Sequence, residues 1–505
     1  MTSPLPSRRS ILLGGLGVAA TATLTACTGG GGMTGMPSRS FGAPSPVSTS
    51  PGQRLVEKSL TAKPVTLDLG GRTVSTWAYG DTAPGPLVRA SAGDLLRVTL
   101  DNQLPADTTI HWHGIRLRNA ADGVPGLTQD PVKPGGRFVY EFTAPDPGTY
   151  FFHSHVGVQI DRGLYGPLVI DDPAEPGGYD AEWVLVLDDW IDGTGSTPDD
   201  VLARLVADGG TASGGSGGMG GMGGMDHGSM GGMGGMSMGS PPWGDAGDVT
   251  YPLFLVNGKP PAAPDVLTAT PGQRVRLRVI NAGADTIFTV ALGGHRMRIT
   301  HTDGYAVQPV DVDAFYVGMG ERYDAIVTLG DGVFPLVARP FGKTSGGQGL
   351  ALIRTGAGAA PGPGVTPGEV SGQVLIGSQL RPADAARLPA KTPDATAQLL
   401  LQGSMKPYRW GINGAPYGQN EPLTVKAGQR LRIDAVNMTM MTHPLHLHGH
   451  TFALPSGLRK DTVLMAPMQS LSIDLDADNR GDWMVHCHNI YHAEAGMMIA
   501  LNYAT

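Results

Sequence analysis

The chain has 505 residues, a net charge of −8, 41% hydrophobic residues and only two cysteines. This length allows three domains of ordinary size. An acidic balance without basic clusters leaves no footprint for nucleic acid, and two cysteines are too few for a disulfide framework.

Ser7-Arg8-Arg9-Ser10, followed by Ile11-Leu12-Leu13, reads as a twin-arginine export signal. Leu24-Thr25-Ala26-Cys27 has the form of a lipoprotein cleavage box. Residues 1–27 are therefore expected to be the signal, with Cys27 lipidated and the protein held on the outer face of the cytoplasmic membrane, in the cell envelope. The plainer alternative is a signal peptide with an incidental cysteine. No later apolar run is long enough to span a bilayer. Residues 28–60, rich in Ser, Gly, Pro and Thr, read as a flexible tether.

Beyond the tether, one segment occurs three times. Gly93–Asn102 matches Gly272–Asn281 and Gly428–Asn437, each an apolar–polar alternation bounded by Gly and Asn, as in a half-buried antiparallel strand. The expected fold is all-β, with three related domains at 61–173, 179–357 and 370–505. High Gly and Pro content with many short strands fits packed β-sandwiches.

Ten of the fourteen histidines fall into four clusters. The first domain carries His111-Trp-His113 and His153-Ser-His155. The third carries His443-Pro-Leu-His446-Leu-His448 and His486-Cys487-His488, with His492 and Met497 close behind. Nine and eleven residues past the repeat's Asn stand His111 and His113 in the first domain, and His446 and His448 in the third. Gly148–His155 aligns likewise with Gly481–His488, so the two domains offer equivalent histidines as facing halves of one site. In a strand Cys487 would face away from His486 and His488, letting one strand serve two centres. Cys, two His and a weak axial Met form a blue-copper ligand set. In the first domain the positions of His443, Cys487, His492 and Met497 are held by Thr108, Ser154, Gln159 and Leu164. The second domain has Val290 and Leu292 at the histidine positions and reads as a metal-free spacer. His227, His295, His301 and His450 lie outside the pattern and read as ordinary polar residues.

Between about Gly209 and Trp243 the second domain changes composition. Met219, Met222, Met225, Met230, Met233, Met236 and Met238 are set among glycines. A low-complexity linker is one reading. Capture of Cu(I) by soft thioethers is the other, and is favoured because linkers commonly use Ser, Thr or Pro.

With these motifs in place, nearly the whole mature chain resembles the three-domain multicopper oxidases, the family of laccases and bacterial cuprous oxidases. The resemblance implies three cupredoxin-like Greek-key sandwiches and four copper ions. A type 1 copper would sit on His443, Cys487 and His492 with Met497 axial, and a type 2 copper on His111 and His446. The type 3 pair would take His113, His153 and His488 on one ion and His155, His448 and His486 on the other. Asp122, eleven residues past His111, stands where the family places an acid near the cluster, although Asp122-Gly123 also reads simply as a turn. Glu494 is a second relay candidate, but the place directly after the last type 1 histidine, often acidic in related cuprous oxidases, is Ala493 here. The implied reaction is one-electron oxidation of Cu(I), and of phenols, coupled to four-electron reduction of O2 to water. The alternatives are a laccase with an organic physiological substrate and a copper-storage lipoprotein without turnover.

Overall fold

A computed structural model describes residues 41–504 apart from 43, 176, 209–242 and 245–246. The export signal, Cys27 and the seven clustered methionines lie outside the described residues. Six sheets form three sandwiches. In each, the repeated segment is a central strand: Leu95–Asn102, Arg274–Asn281 and Arg430–Asn437. Each pairs in parallel with the preceding long strand (Leu55–Asp68, Ala181–Trp190 or Ala395–Met405). Each also pairs antiparallel with a later one (Arg137–Thr143, Arg322–Thr328 or Ser470–Asp476).

The bounding asparagine does the same work three times. Asn102, Asn281 and Asn437 are fully buried. Nδ2 donates to backbone carbonyls in each: Ala106 and Val132 for Asn102, Thr286 and Val317 for Asn281, and Met441, Met465 and Ala466 for Asn437. Each Oδ1 accepts the N–H two residues on. A buried amide satisfied in this way fixes where the strand ends and the following loop begins.

Two expectations need correction. The first strand begins at Leu55, inside the stretch read as a tether, and residues before it also dock on the first domain: Arg118 Nη1 donates to the Ser45 carbonyl at 2.8 Å and Val47 N–H to Glu141 Oε2 at 2.8 Å. The middle copy of the repeat is not half-buried. Arg276 and Arg278 on its polar face are covered, because both pair with Asp324 and Arg278 also donates to Thr149 of the first domain. Among the described residues no helix is long and apolar enough to cross a membrane.

Candidate metal centres

Two strand pairs carry the histidines. In the first domain His111–His113 runs antiparallel to Gly148–His153, with His111 opposite His153. In the third, His443–Leu447 runs antiparallel to Asp482–Cys487, with His446 opposite His486. The register repeats, and the two pairs meet. The ligand atoms of His111, His113 and His446 lie within 4.8 Å of one another, as do those of His113, His153 and His488, and those of His155, His448 and His486. Ring stacking ties the halves together, His111 on His448 at 3.7 Å between centroids and His113 on His446 at 3.8 Å.

A separate group is His443, Cys487 and His492. Cys487 Sγ lies 3.5 Å from His443 Nδ1 and 3.7 Å from His492 Nδ1, and those two nitrogens are 3.0 Å apart. Cys487 thus turns away from its neighbours His486 and His488, as strand alternation requires. Met497 is buried, its carbonyl accepting from Cys487 N–H at 3.0 Å and its own N–H donating to the His492 carbonyl at 2.9 Å. Asn489 caps the short helix Ile490–Glu494, receiving the Tyr491 and His492 amides, and so aims His492.

The donor set fits metal ions. His111 Nε2, His113 Nδ1, His153 Nε2, His155 Nε2, His446 Nε2 and both His488 ring nitrogens are buried without a hydrogen-bond partner. Such orphaned atoms are costly unless something pairs with them. Burial, followed by the crowding of neighbouring imidazoles, holds His113, His155, His446, His448 and His488 well below the usual range. Neutral rings are what a metal needs. The opposite nitrogens are anchored. His111 Nδ1 and His446 Nδ1 reach the carbonyls of Asp122 and Asp461, both at 2.9 Å. His153 and His486 reach those of Ser154 and Cys487 at 2.8 and 2.9 Å. Asp122 Oδ2 takes His448 Nδ1 at 3.0 Å.

Asp122 stands both in a turn and against the cluster. It closes the turn, where Gly123 has φ +81° and a side chain would strike the Ile110 carbonyl, and its buried carboxylate touches the cluster. Glu494 is half-buried; burial and nearby Asp199 push its carboxyl up to about 7. The described residues show no hydrogen bond from Glu494 to any of these histidines. His450 stays apart, its ring bonded to the His448 carbonyl and the Tyr503 hydroxyl.

Sequence reasoning missed four groups around the histidines. Asp248 Oδ2 accepts from His492 Nε2 at 2.8 Å and from the Tyr408 hydroxyl at 2.6 Å. Burial alone would lower His492, but this carboxylate carries it up to about 10. Thr439 Oγ1 meets His443 Nε2 at 2.7 Å. Asp461 and Thr462 lie against His113 and His446. Asp461 is the repeat-mate of Asp122, and alignment of the loops after each H-x-H could have found it; Asp248 and Thr439 carry no such signal. The second domain is also more than a spacer, since Gly320 packs against the cluster rings.

Comparison with known proteins decides the family. Multicopper oxidase family models match residues 61–175, 182–358 and 390–505. The chain belongs to the multicopper oxidases. It is similar to the multicopper oxidase MmcO of Mycobacterium tuberculosis, 44% identical over 98% of this chain and 96% of that protein. Copper resistance protein A of Escherichia coli is 28% identical over 82% of this chain and 87% of that protein. Among solved structures, a multi-copper oxidase from Pseudomonas thermotolerans superposes with TM-score 0.66 at 28% identity, over 90% of this chain and 100% of that one. The chain is accordingly an oxidoreductase of a copper-using family.

Proposed function

We propose that this oxidase takes electrons singly from Cu(I), and from phenols as a second donor class, and delivers them to dioxygen, serving copper detoxification in the cell envelope. The observation that carries the cuprous reading is three exposed methionines beside the mononuclear group. Met438 is 49% exposed, Met440 70% and Met468 63%. Met438 and Met440 flank Thr439, which bonds His443, and Met468 donates its N–H to the Thr439 carbonyl at 3.2 Å. Met468 also has φ 56°, a conformation costing a side chain roughly 1–3 kcal/mol. Exposed thioethers gain nothing from burial, but they are soft donors suited to Cu(I). The Met219–Met238 cluster is proposed to add capture capacity.

His443, Cys487 and His492, together with Met497, would hold the mononuclear copper. His111 and His446 would hold a second ion, with the other six histidines on a pair. Bound copper would supply one-electron transfer at the first site and reduction of dioxygen to water at the cluster. The chain's own contribution is placement. Cys487 is peptide-bonded to His486 and His488, giving a short covalent route between the centres. Asp248 and Thr439 hold the outer nitrogens of the mononuclear imidazoles and so fix the inner ones. Asp122 orients His448 and is the acid proposed to bring protons; Glu494, two residues past His492, makes no hydrogen bond to the histidines among the described residues and is given no such role. Export by the twin-arginine route and lipid anchoring at Cys27 complete the proposal.

The test is oxygen uptake by the copper-loaded protein with Cu(I) and then a phenol as donor. Uptake with both is expected. Leucine at Met438, Met440 and Met468 together should slow the Cu(I) reaction and spare the phenol. Uptake with the phenol alone would favour a laccase, and none with either would favour storage.

A further inference from the structure

We infer that the Gly318–Arg322 turn of the second domain is a working wall of the histidine cluster, with Arg322 a positioning residue that locks Asp461 and, through it, the rings of His113 and His446. The inference rests on the copper reading above.

Arg322 and Asp461 are both fully buried. The guanidinium fork meets both carboxylate oxygens, Nη1 to Oδ1 and Nη2 to Oδ2, each at 2.6 Å. Its remaining bonds go to the Thr149 carbonyl at 3.1 Å and the Gly320 carbonyl at 3.0 Å. A buried pair of this kind repays its desolvation only with such complete bonding, and it is a poor source of net stability. What it gives is a fixed direction. Asp461 Oδ1 is held 3.2 Å from His113 Nε2 and takes the Thr462 hydroxyl at 2.8 Å. That hydroxyl lies 3.1 Å from His113 Nε2 and 3.0 Å from His446 Nδ1. The orphaned nitrogens are the other two, His113 Nδ1 and His446 Nε2. The Asp461–Thr462 pair therefore occupies one nitrogen of each ring and leaves its partner to face inward.

Glycines allow the approach. Gly320 has φ +83°, and a Cβ there would lie 2.9 Å from His113 Cε1 and 3.0 Å from His488 Cδ2. Gly114 of the first domain has φ +85°, and a Cβ there would collide with both Arg322 and Asp461. Asp122 is built differently: among the described residues its carboxylate pairs with His111 and His448 and with no arginine or lysine. The cluster is thus shared by the first and third domains for its histidines but braced by the second on one side.

The test uses full-length Arg322→Lys, which keeps the charge and loses the fork, and Gly320→Ala, which adds one methyl group against the rings. Each is loaded with copper and compared with the unaltered protein by blue absorption per chain, by the electron paramagnetic resonance spectrum and by titration with a copper chelator. Both variants should keep the blue absorption of the Cys487 site. Both should lose cluster copper about 10- to 100-fold more readily, the usual cost of removing an outer-shell partner, with an altered cluster spectrum. Identical titrations and spectra would overturn the inference, as would loss of the blue absorption together with cluster copper, which would make the turn a general domain clamp. Unaltered protein that fails to load the histidine cluster would instead sink the copper reading itself.

Discussion

The first and third domains carry the same fold in the same register, yet they fill one corner with opposite chemistry. In the third, a thiol and two imidazole nitrogens converge within 3.7 Å. In the first, the matching residues bond to each other. The hydroxyls of Thr108 and Ser154 both reach Gln159 Oε1, at 2.8 and 2.7 Å, while Gln159 Nε2 donates to the Asp107 carbonyl at 2.8 Å. That circuit satisfies itself with hard oxygen atoms and needs no ion. The other crowds soft donors around one point, which calls for one. Two copies of a scaffold thus differ in function through a few side chains.

The largest effect that could break this comparison is that of Cys487→Ser. Blue absorption and donor oxidation should vanish together, while the cluster histidines still bind copper; surviving blue colour would remove the contrast. Next comes His111→Ala combined with His446→Ala, one residue from each half of the cluster. Donors should still reduce the mononuclear site, but reoxidation by dioxygen should stop, and ordinary turnover would show that the shared site is misread.

Acid should erase the difference between the copper-free protein and the loaded one. His113, His153, His155, His443, His446, His448 and His488 titrate well below their ordinary value, and His486 at about 4, burial being the leading cause throughout. The unfolded chain thus takes up more protons than the folded one below pH about 6.5, so these groups cost stability progressively as the pH falls from there, for His486 until about pH 4. His492 acts in reverse: raised to about 10, it adds stability that is complete below pH about 6.5 and lost as the pH rises through 10. Melting temperature should therefore drop on the acid side for the copper-free protein, while the loaded protein should melt higher at neutral pH and lose that margin in acid, because protons compete with copper for the rings. Coincident melting temperatures with and without copper at neutral pH would argue that the histidines hold no metal. The smallest effect belongs to Ser154→Ala, which removes the hydroxyl's bonds to Gln159 Oε1, Thr108 Oγ1 and the Val156 N–H. Stability should fall by about 1 kcal/mol, with copper content and oxygen uptake unchanged; loss of copper would make that corner a metal site after all.

The ligand clusters were legible because H-x-H spacing, strand alternation and the triple repeat are all local patterns. The braces were not. Asp248 reaches His492 across 244 residues, and Arg322 meets Asp461 across 139, so only the packed domains bring them together. Asp461 was hidden by loop length, standing thirteen residues past His448 where Asp122 stands nine past His113. The middle strand misled because its arginines, polar by pattern, are buried by pairing with Asp324.

Diffraction from the copper-loaded protein at the copper absorption edge tests the central claim most directly. The account predicts one anomalous peak beside Cys487, His443 and His492, three among the eight histidines shared by the first and third domains, and none beside Thr108, Ser154 and Gln159. A peak at that last corner, or an empty histidine cluster in fully loaded protein, would contradict it.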